Sequence, residues 1–353
     1  MNYLVTEKYV KLLGRTTFKE GIRYLSYSCS GIEFEMTGCR ADVVLWSDGK
    51  EWGEQFKAWM AVFINDEPAP RKRFCLREEE RSYTLYESSK EETVKIRLVK
   101  YSEAAFAKVG IKLLKIQGEP PIPTAQKNLK IEFIGDSITC GYGNEGRLDI
   151  DQFTTAQENP YLAYAAQTAL QLEADYQLVS WSGIGILSSW TEEGNQPNRR
   201  EQLMPKLYPY TNLALKEIVG TSELWDFKQF SPDYIVIFLG TNDASYTKGY
   251  IEREAAFEAV YYQFLLMVRM FNPQAKIICV LGGMSDELYE VIENTVKSYR
   301  ENEKDLMIDC FKFNLQLEAD GIGTDSHPSI KTHKKMATVL VQKIQEDLKT
   351  TIY

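Results

Sequence analysis

Apolar and polar residues alternate in short runs between Gly14 and Gly118, most clearly over residues 31–36, 41–46, 58–64 and 93–99. Such alternation buries one face of a strand and wets the other. Turn-forming groups, Ser47-Asp48-Gly49 and Asn65-Asp66, separate the runs. This half of the chain is therefore expected to be an antiparallel β-sandwich. Glu119-Pro120-Pro121-Ile122-Pro123 interrupts helix and strand alike, because proline lacks an amide donor and restricts the residue before it. The boundary is placed there, giving domains of residues 1–122 and 123–353.

Beyond it the pattern changes. Residues 130–134, 176–179, 234–239 and 276–281 are apolar-rich runs of strand length that read as buried strands, and residues 160–174, 251–270, 284–302 and 328–348 carry helical periodicity. Strands alternating with helices predict a parallel sheet covered on both faces. Asn159-Pro160 fits a helix start, with asparagine as cap and proline where a missing N–H costs nothing.

In such a sheet ligands gather at the carboxyl ends of the strands. The first strand runs into Gly135-Asp136-Ser137-Ile138-Thr139, which puts the Ser137 hydroxyl on a tight turn as a candidate nucleophile. The second runs into Ser180-Trp181-Ser182-Gly183-Ile184-Gly185, where a glycine lets a backbone amide approach the same centre or simply packs closely. The third ends in Gly240-Thr241-Asn242-Asp243, and the Asn242 amide is either an oxyanion donor or a turn cap.

Composition narrows the chemistry. The 353-residue chain has a formal charge of −9 and no long basic block, which disfavours nucleic acid as a partner. It has no apolar stretch of membrane-spanning length and no secretory start, so a cytoplasmic protein with no membrane partner is expected. Six scattered cysteines read as thiols of a reducing compartment. The two histidines, His327 and His333, form no metal-ligand set with them, so neither metal nor cofactor is expected. Serine needs a base to become a nucleophile, and His327, in the loop Gly323-Thr324-Asp325-Ser326-His327-Pro328, suits that task better than His333 inside the helix. Asp325 is the nearest acid able to hold the ring tautomer, and equally a helix-cap residue, so the sequence leaves a triad and a dyad open, with the triad favoured. Gly141-Tyr142-Gly143-Asn144-Glu145-Gly146 lacks a phosphate-loop lysine and reads as a loop bordering the site. Tyr142, Trp190, Trp225 and Tyr246 lie near these blocks and are candidates to stack on a bound substrate or to fill the core.

Together these blocks resemble the SGNH hydrolase superfamily. The run from Ile131 to Gly143, Leu239-Gly240-Thr241-Asn242-Asp243, Met204-Pro205-Lys206-Leu207-Tyr208, the Asp325-x-His327-Pro328-Ser329 ending and Gly31-Ile32-Glu33-Phe34-Glu35-Met36-Thr37-Gly38 are similar to carbohydrate esterase family 2. The resemblance covers nearly the whole chain. It implies an N-terminal jelly roll followed by an α/β SGNH hydrolase domain, a flavodoxin-like parallel sheet in a three-layer α/β/α arrangement. It also implies a serine esterase removing O-acetyl groups from plant-polysaccharide oligosaccharides of the mannan or xylan type. Ser137 matches the nucleophile, His327 the base and Asp325 an acid two residues before it. Ser137, Gly183 and Asn242 match the oxyanion hole. Ser326 departs from the family's tryptophan before the histidine. The other readings are a lipid or thioester hydrolase of the same superfamily and a carbohydrate-binding protein with relict catalytic blocks.

Overall fold

The computed structural model describes residues 1–198 and 203–350. The chain forms two compact units, one of Met1–Gln126 with Thr154–Glu158 and Tyr210–Leu224, the other of the remainder.

The first unit is an antiparallel β structure, as the alternation requires. Its pairing path runs Thr16–Lys19, Ile22–Leu25, Val109–Gly118, Gly31–Ser47, Glu80–Lys100, Trp59–Ile64, Lys72–Cys75. Inward residues of successive strands, such as Ile32, Phe34 and Met36 with Val94, Ile96 and Leu98, build one apolar core. Two runs that read as separate strands, 31–36 and 41–46, are halves of one 17-residue strand. Its register slips between Gly38 and Arg40 and again between Ala41 and Asp42, and such irregularities bend a strand without ending it. Asn65 and Asp66 both take positive φ in the turn expected of them.

The unit is less local than the boundary after Ile122 suggests. Ile122 and Pro123 still pair with Glu35 and Phe34, and two later segments return to it. The Thr155 hydroxyl donates to Lys57 O at 2.7 Å, Arg15 Nη1 donates to Tyr210 O at 2.7 Å, and Leu215 and Val219 pack with Tyr24. Scattered side-chain contacts between residues far apart in sequence anchor these segments, and composition carries no signal for that.

The second unit contains five parallel strands: β1 (Lys130–Gly135), β2 (Asp175–Ser180), β3 (Tyr234–Phe238), β4 (Lys276–Gly283) and β5 (Ile308–Leu315). They lie in the order β2-β1-β3-β4-β5. Every residue of β3 is buried, as expected where helices cover both faces. Helices α1 (Tyr164–Gln171), α2 (Ile251–Phe271), α3 (Tyr289–Glu303) and α4 (Ile330–Thr350) supply that cover, with α1 packed on α4 and α2 on α3. Strand β5 has no counterpart in the sequence reading. It sits at the sheet edge with only Ile308 and Phe313 buried, so it lacks the mostly buried, apolar-rich run that marks the others. Asn159 caps as expected, its side chain accepting from Leu162 N at 3.2 Å, although the turn it starts is a short 3-10 helix ahead of α1.

Candidate active site

Strand order reverses beside β1, and the carboxyl ends of β1, β2 and β3 bring their loops to one cleft of about 820 Å³. Ser137 begins a short helix, Ser137–Cys140, directly after β1. Asp136 caps that helix by accepting from Ile138 N at 3.0 Å, which holds the serine at the cleft floor, 6% exposed. His327 arrives from the loop before α4. Its Nε2 lies 2.8 Å from Ser137 Oγ, hydrogen-bond distance for the serine hydroxyl and imidazole that the sequence paired across 190 positions.

The other ring nitrogen decides the tautomer. Nδ1 faces the carbonyl oxygens of Thr324 at 3.2 Å and Asp325 at 3.0 Å. Both are acceptors only, so Nδ1 carries the proton and Nε2 presents its lone pair to the Ser137 hydroxyl. The expectation that the Asp325 carboxylate orients the ring is corrected here. That carboxylate accepts from the Tyr142 hydroxyl at 3.0 Å, and the aspartate's backbone oxygen is what meets the imidazole. The cause is local: Asp325 and Ser326 both hold left-handed φ, 52° and 63°. That turn swings two carbonyls toward Nδ1 and the side chain away. Burial pushes the His327 pKa down to about 4, against the pull of those carbonyls and the nearby Asp325 charge.

Asn242 enters at the carboxyl end of β3. Its Nδ2 donates to Ile184 O at 2.9 Å and to Asp136 Oδ2 at 3.2 Å, so the serine's capping residue and the loop after β2 converge on one amide. Gly183 lines the same cleft with φ +75°, a conformation that explains glycine there although a Cβ would meet open space. Asp243, the next residue, is fully buried, and its pKa is pushed up to about 6 by burial in spite of the backbone amides bonded to it.

The aromatic candidates divide. Tyr142 and Trp190 line the cleft, Trp190 with 53% exposure. Tyr142 stacks on Phe153 at 3.6 Å and lies 4.5 Å from the His327 ring. Trp225 and Tyr246 do not line it: Trp225 is buried, and the Tyr246 ring lies 4.6 Å from the Arg253 guanidinium. His333 is fully buried in α4, where Nδ1 accepts from Tyr164 N at 3.2 Å, and burial pushes its pKa down to about 3. Met284, Ser285 and Glu287, just past β4, also line the cleft. The rule applied to the first three strands, extended to the fourth, points to them.

Comparison with known proteins bears on the family and the fold. Residues 131–340 match the GDSL-like lipase/acylhydrolase family, and residues 12–124 match the carbohydrate esterase 2 N-terminal family. The chain belongs to the GDSL-like lipase/acylhydrolase family. Within that family its relatives are family 2 carbohydrate esterases. It is 32% identical over 329 residues to a cellulase/esterase of Acetivibrio thermocellus, a match covering 92% of this chain but only 37% of that protein. It is 24% identical to an acetylxylan esterase/glucomannan deacetylase of Cellvibrio japonicus, over 97% of this chain and 89% of the relative. An acetyl xylan esterase structure from the rumen bacterium Butyrivibrio proteoclasticus superposes with a TM-score of 0.87 at 28% identity, covering 98% of this chain and 96% of the other. The jelly-roll and SGNH fold expectations hold. Among the described residues no helix is long and apolar enough to cross a membrane.

Proposed function

We propose that the protein is a serine esterase that removes O-acetyl groups from plant-polysaccharide oligosaccharides of the xylan or glucomannan type, by way of an acetyl-enzyme on Ser137. The observation that carries this reading is the 2.8 Å contact between Ser137 Oγ and His327 Nε2, with Nδ1 already committed to backbone carbonyls. His327 takes the Ser137 proton as Oγ attacks the acetyl carbonyl. Charge developing on the carbonyl oxygen is met by the Ser137 and Gly183 amides and by the Asn242 side chain, whose amide rests on Ile184 O and Asp136 Oδ2. The imidazolium then protonates the sugar oxygen as its bond to the acetyl carbon breaks, so that the sugar leaves with a free hydroxyl and the acetyl group stays on Ser137. Water, deprotonated by the same ring, releases acetate and restores the serine.

His327 and Ser137 act here as a dyad, with the Thr324 and Asp325 carbonyls orienting the ring. Trp190, half-exposed on the wall, offers an apolar face to a sugar ring. Xylan and glucomannan are the substrates named for the relatives, which favours acetylated sugars over lipids or acyl-thioesters. Acetate release from acetylated glucomannan, acetylated xylan and an acyl-thioester, measured side by side, tests the reading. Turnover of either polysaccharide at least tenfold above the thioester is expected, and a preference for the thioester overturns it.

A further inference from the structure

We infer that Asp243 is the positioning residue of the oxyanion hole: its buried carboxylate binds the backbone of the loop that carries Gly183 and locks that loop to Asn242. The inference rests on the esterase reading above. Oδ1 accepts from the amides of Ile186 at 3.1 Å, Leu187 at 2.7 Å and Ser188 at 2.9 Å, and Oδ2 accepts from Ile186 at 3.1 Å. Three consecutive N–H groups thus close around one anion, a concavity of the kind that backbone turns form for bound anions. The wrap needs a glycine at its mouth: a Cβ at Gly185 would come within 1.9 Å of Ser188 O and 2.8 Å of both carboxylate oxygens.

The position of the loop decides what this does. Asn242, the neighbouring residue in the chain, donates to Ile184 O at 2.9 Å, and Trp190 N donates to Gly183 O at 2.9 Å. Two adjacent residues of one helix start therefore grip the loop at adjacent points, Asn242 at residue 184 and Asp243 at residues 186–188. The side-chain donor and the backbone donor of the oxyanion hole become one body. Asp243 itself is fully buried and does not line the cleft, so it touches no substrate and acts through the loop. Charged acceptors make the stronger backbone hydrogen bonds, which gives a carboxylate an advantage over an amide in this role. Displacement of a catalytic donor by about 1 Å costs roughly 100-fold in rate, so loosening this grip should be visible in turnover.

The experiment compares Asp243→Asn, Asn242→Ala and the double variant with the wild type on p-nitrophenyl acetate, a substrate without a sugar, after circular dichroism has established folding. Asp243→Asn should lower kcat roughly 10- to 100-fold with KM little changed. The double variant should be little worse than Asn242→Ala alone, because both changes dismantle one device. In parallel, hydrogen exchange should find the Ile186, Leu187 and Ser188 amides protected in the wild type and released in Asp243→Asn. Unchanged kcat in folded Asp243→Asn, a loss confined to KM, or fully multiplicative losses in the double variant would overturn the inference. So would wild-type amides that exchange like those of an open loop, a measurement that decides even if Asp243→Asn does not fold. Should the wild type leave p-nitrophenyl acetate uncleaved, the esterase reading fails while the exchange data still report whether Asp243 holds the loop; should Asn242→Ala keep full turnover, Asn242 is no oxyanion donor and the inference is overturned.

Discussion

The Tyr142 hydroxyl donates to the Asp325 carboxylate at 3.0 Å, and this contact separates the two ends of Asp325: the side chain faces Tyr142 and the carbonyl faces His327 Nδ1. A residue that reads as the third member of a triad instead shapes the turn before the base.

Asp325→Asn should therefore lower kcat by less than about tenfold, against the ~10⁴-fold seen when a true triad acid is neutralised in serine proteases. Tyr142→Phe, which removes one hydroxyl and keeps the ring stacked on Phe153, should have an effect no larger than that. Steady-state kinetics on p-nitrophenyl acetate check both, and a 10³-fold loss in Asp325→Asn would restore the triad.

The two histidines should separate cleanly. His327→Ala should lower turnover as severely as Ser137→Ala, since nucleophile and base act as a unit. His333→Ala should retain most activity and lose stability, by about 2–4 kcal/mol for a buried ring removed with its bond to Tyr164 N. Urea denaturation beside a kcat measurement distinguishes them.

Asn242→Ala should lower kcat roughly 100- to 1000-fold with KM nearly constant, as expected of a donor engaged chiefly in the transition state. A defect confined to KM would move Asn242 to substrate recognition.

Acid pH acts on the two rings differently. The base must be neutral, and burial lowers the His327 pKa to about 4, so the acid limb of kcat/KM should fall well below pH 6.5. Stability should fail more gradually. His333 binds a proton in the unfolded chain near pH 6.5 but in the folded protein only near 3. The unfolded state thus carries more protons between those values, and the contribution of a neutral His333, complete above 6.5, declines as pH falls toward 3. Thermal melting against pH, with His333→Ala as the control, should show a shallower decline in the variant.

Local pattern determined much of this protein. Alternation in the first half and apolar-rich runs in the second depend on which face of a strand is buried, a property of neighbours in sequence, so both sheets were legible along with the loops that follow β1, β2 and β3. Ser137, Gly183 and Asn242 were legible for the same reason, because strand ends in a parallel sheet meet at one edge. Strand β5 was not: an edge strand with two buried residues has no pattern to read. Nor were the returns of Thr154–Glu158 and Tyr210–Leu224 to the first unit, which are held by scattered side-chain hydrogen bonds and a small apolar cluster across long stretches of chain. Tertiary structure alone decided how His327 is held. Residue type and spacing name Asp325 as the partner, but two consecutive left-handed residues turn its carbonyl rather than its carboxylate to the ring. Aspartate visits the left-handed region more readily than most residues, but a left-handed serine beside it leaves no mark in the sequence, so the choice between side chain and main chain at that position is made only when the loop packs.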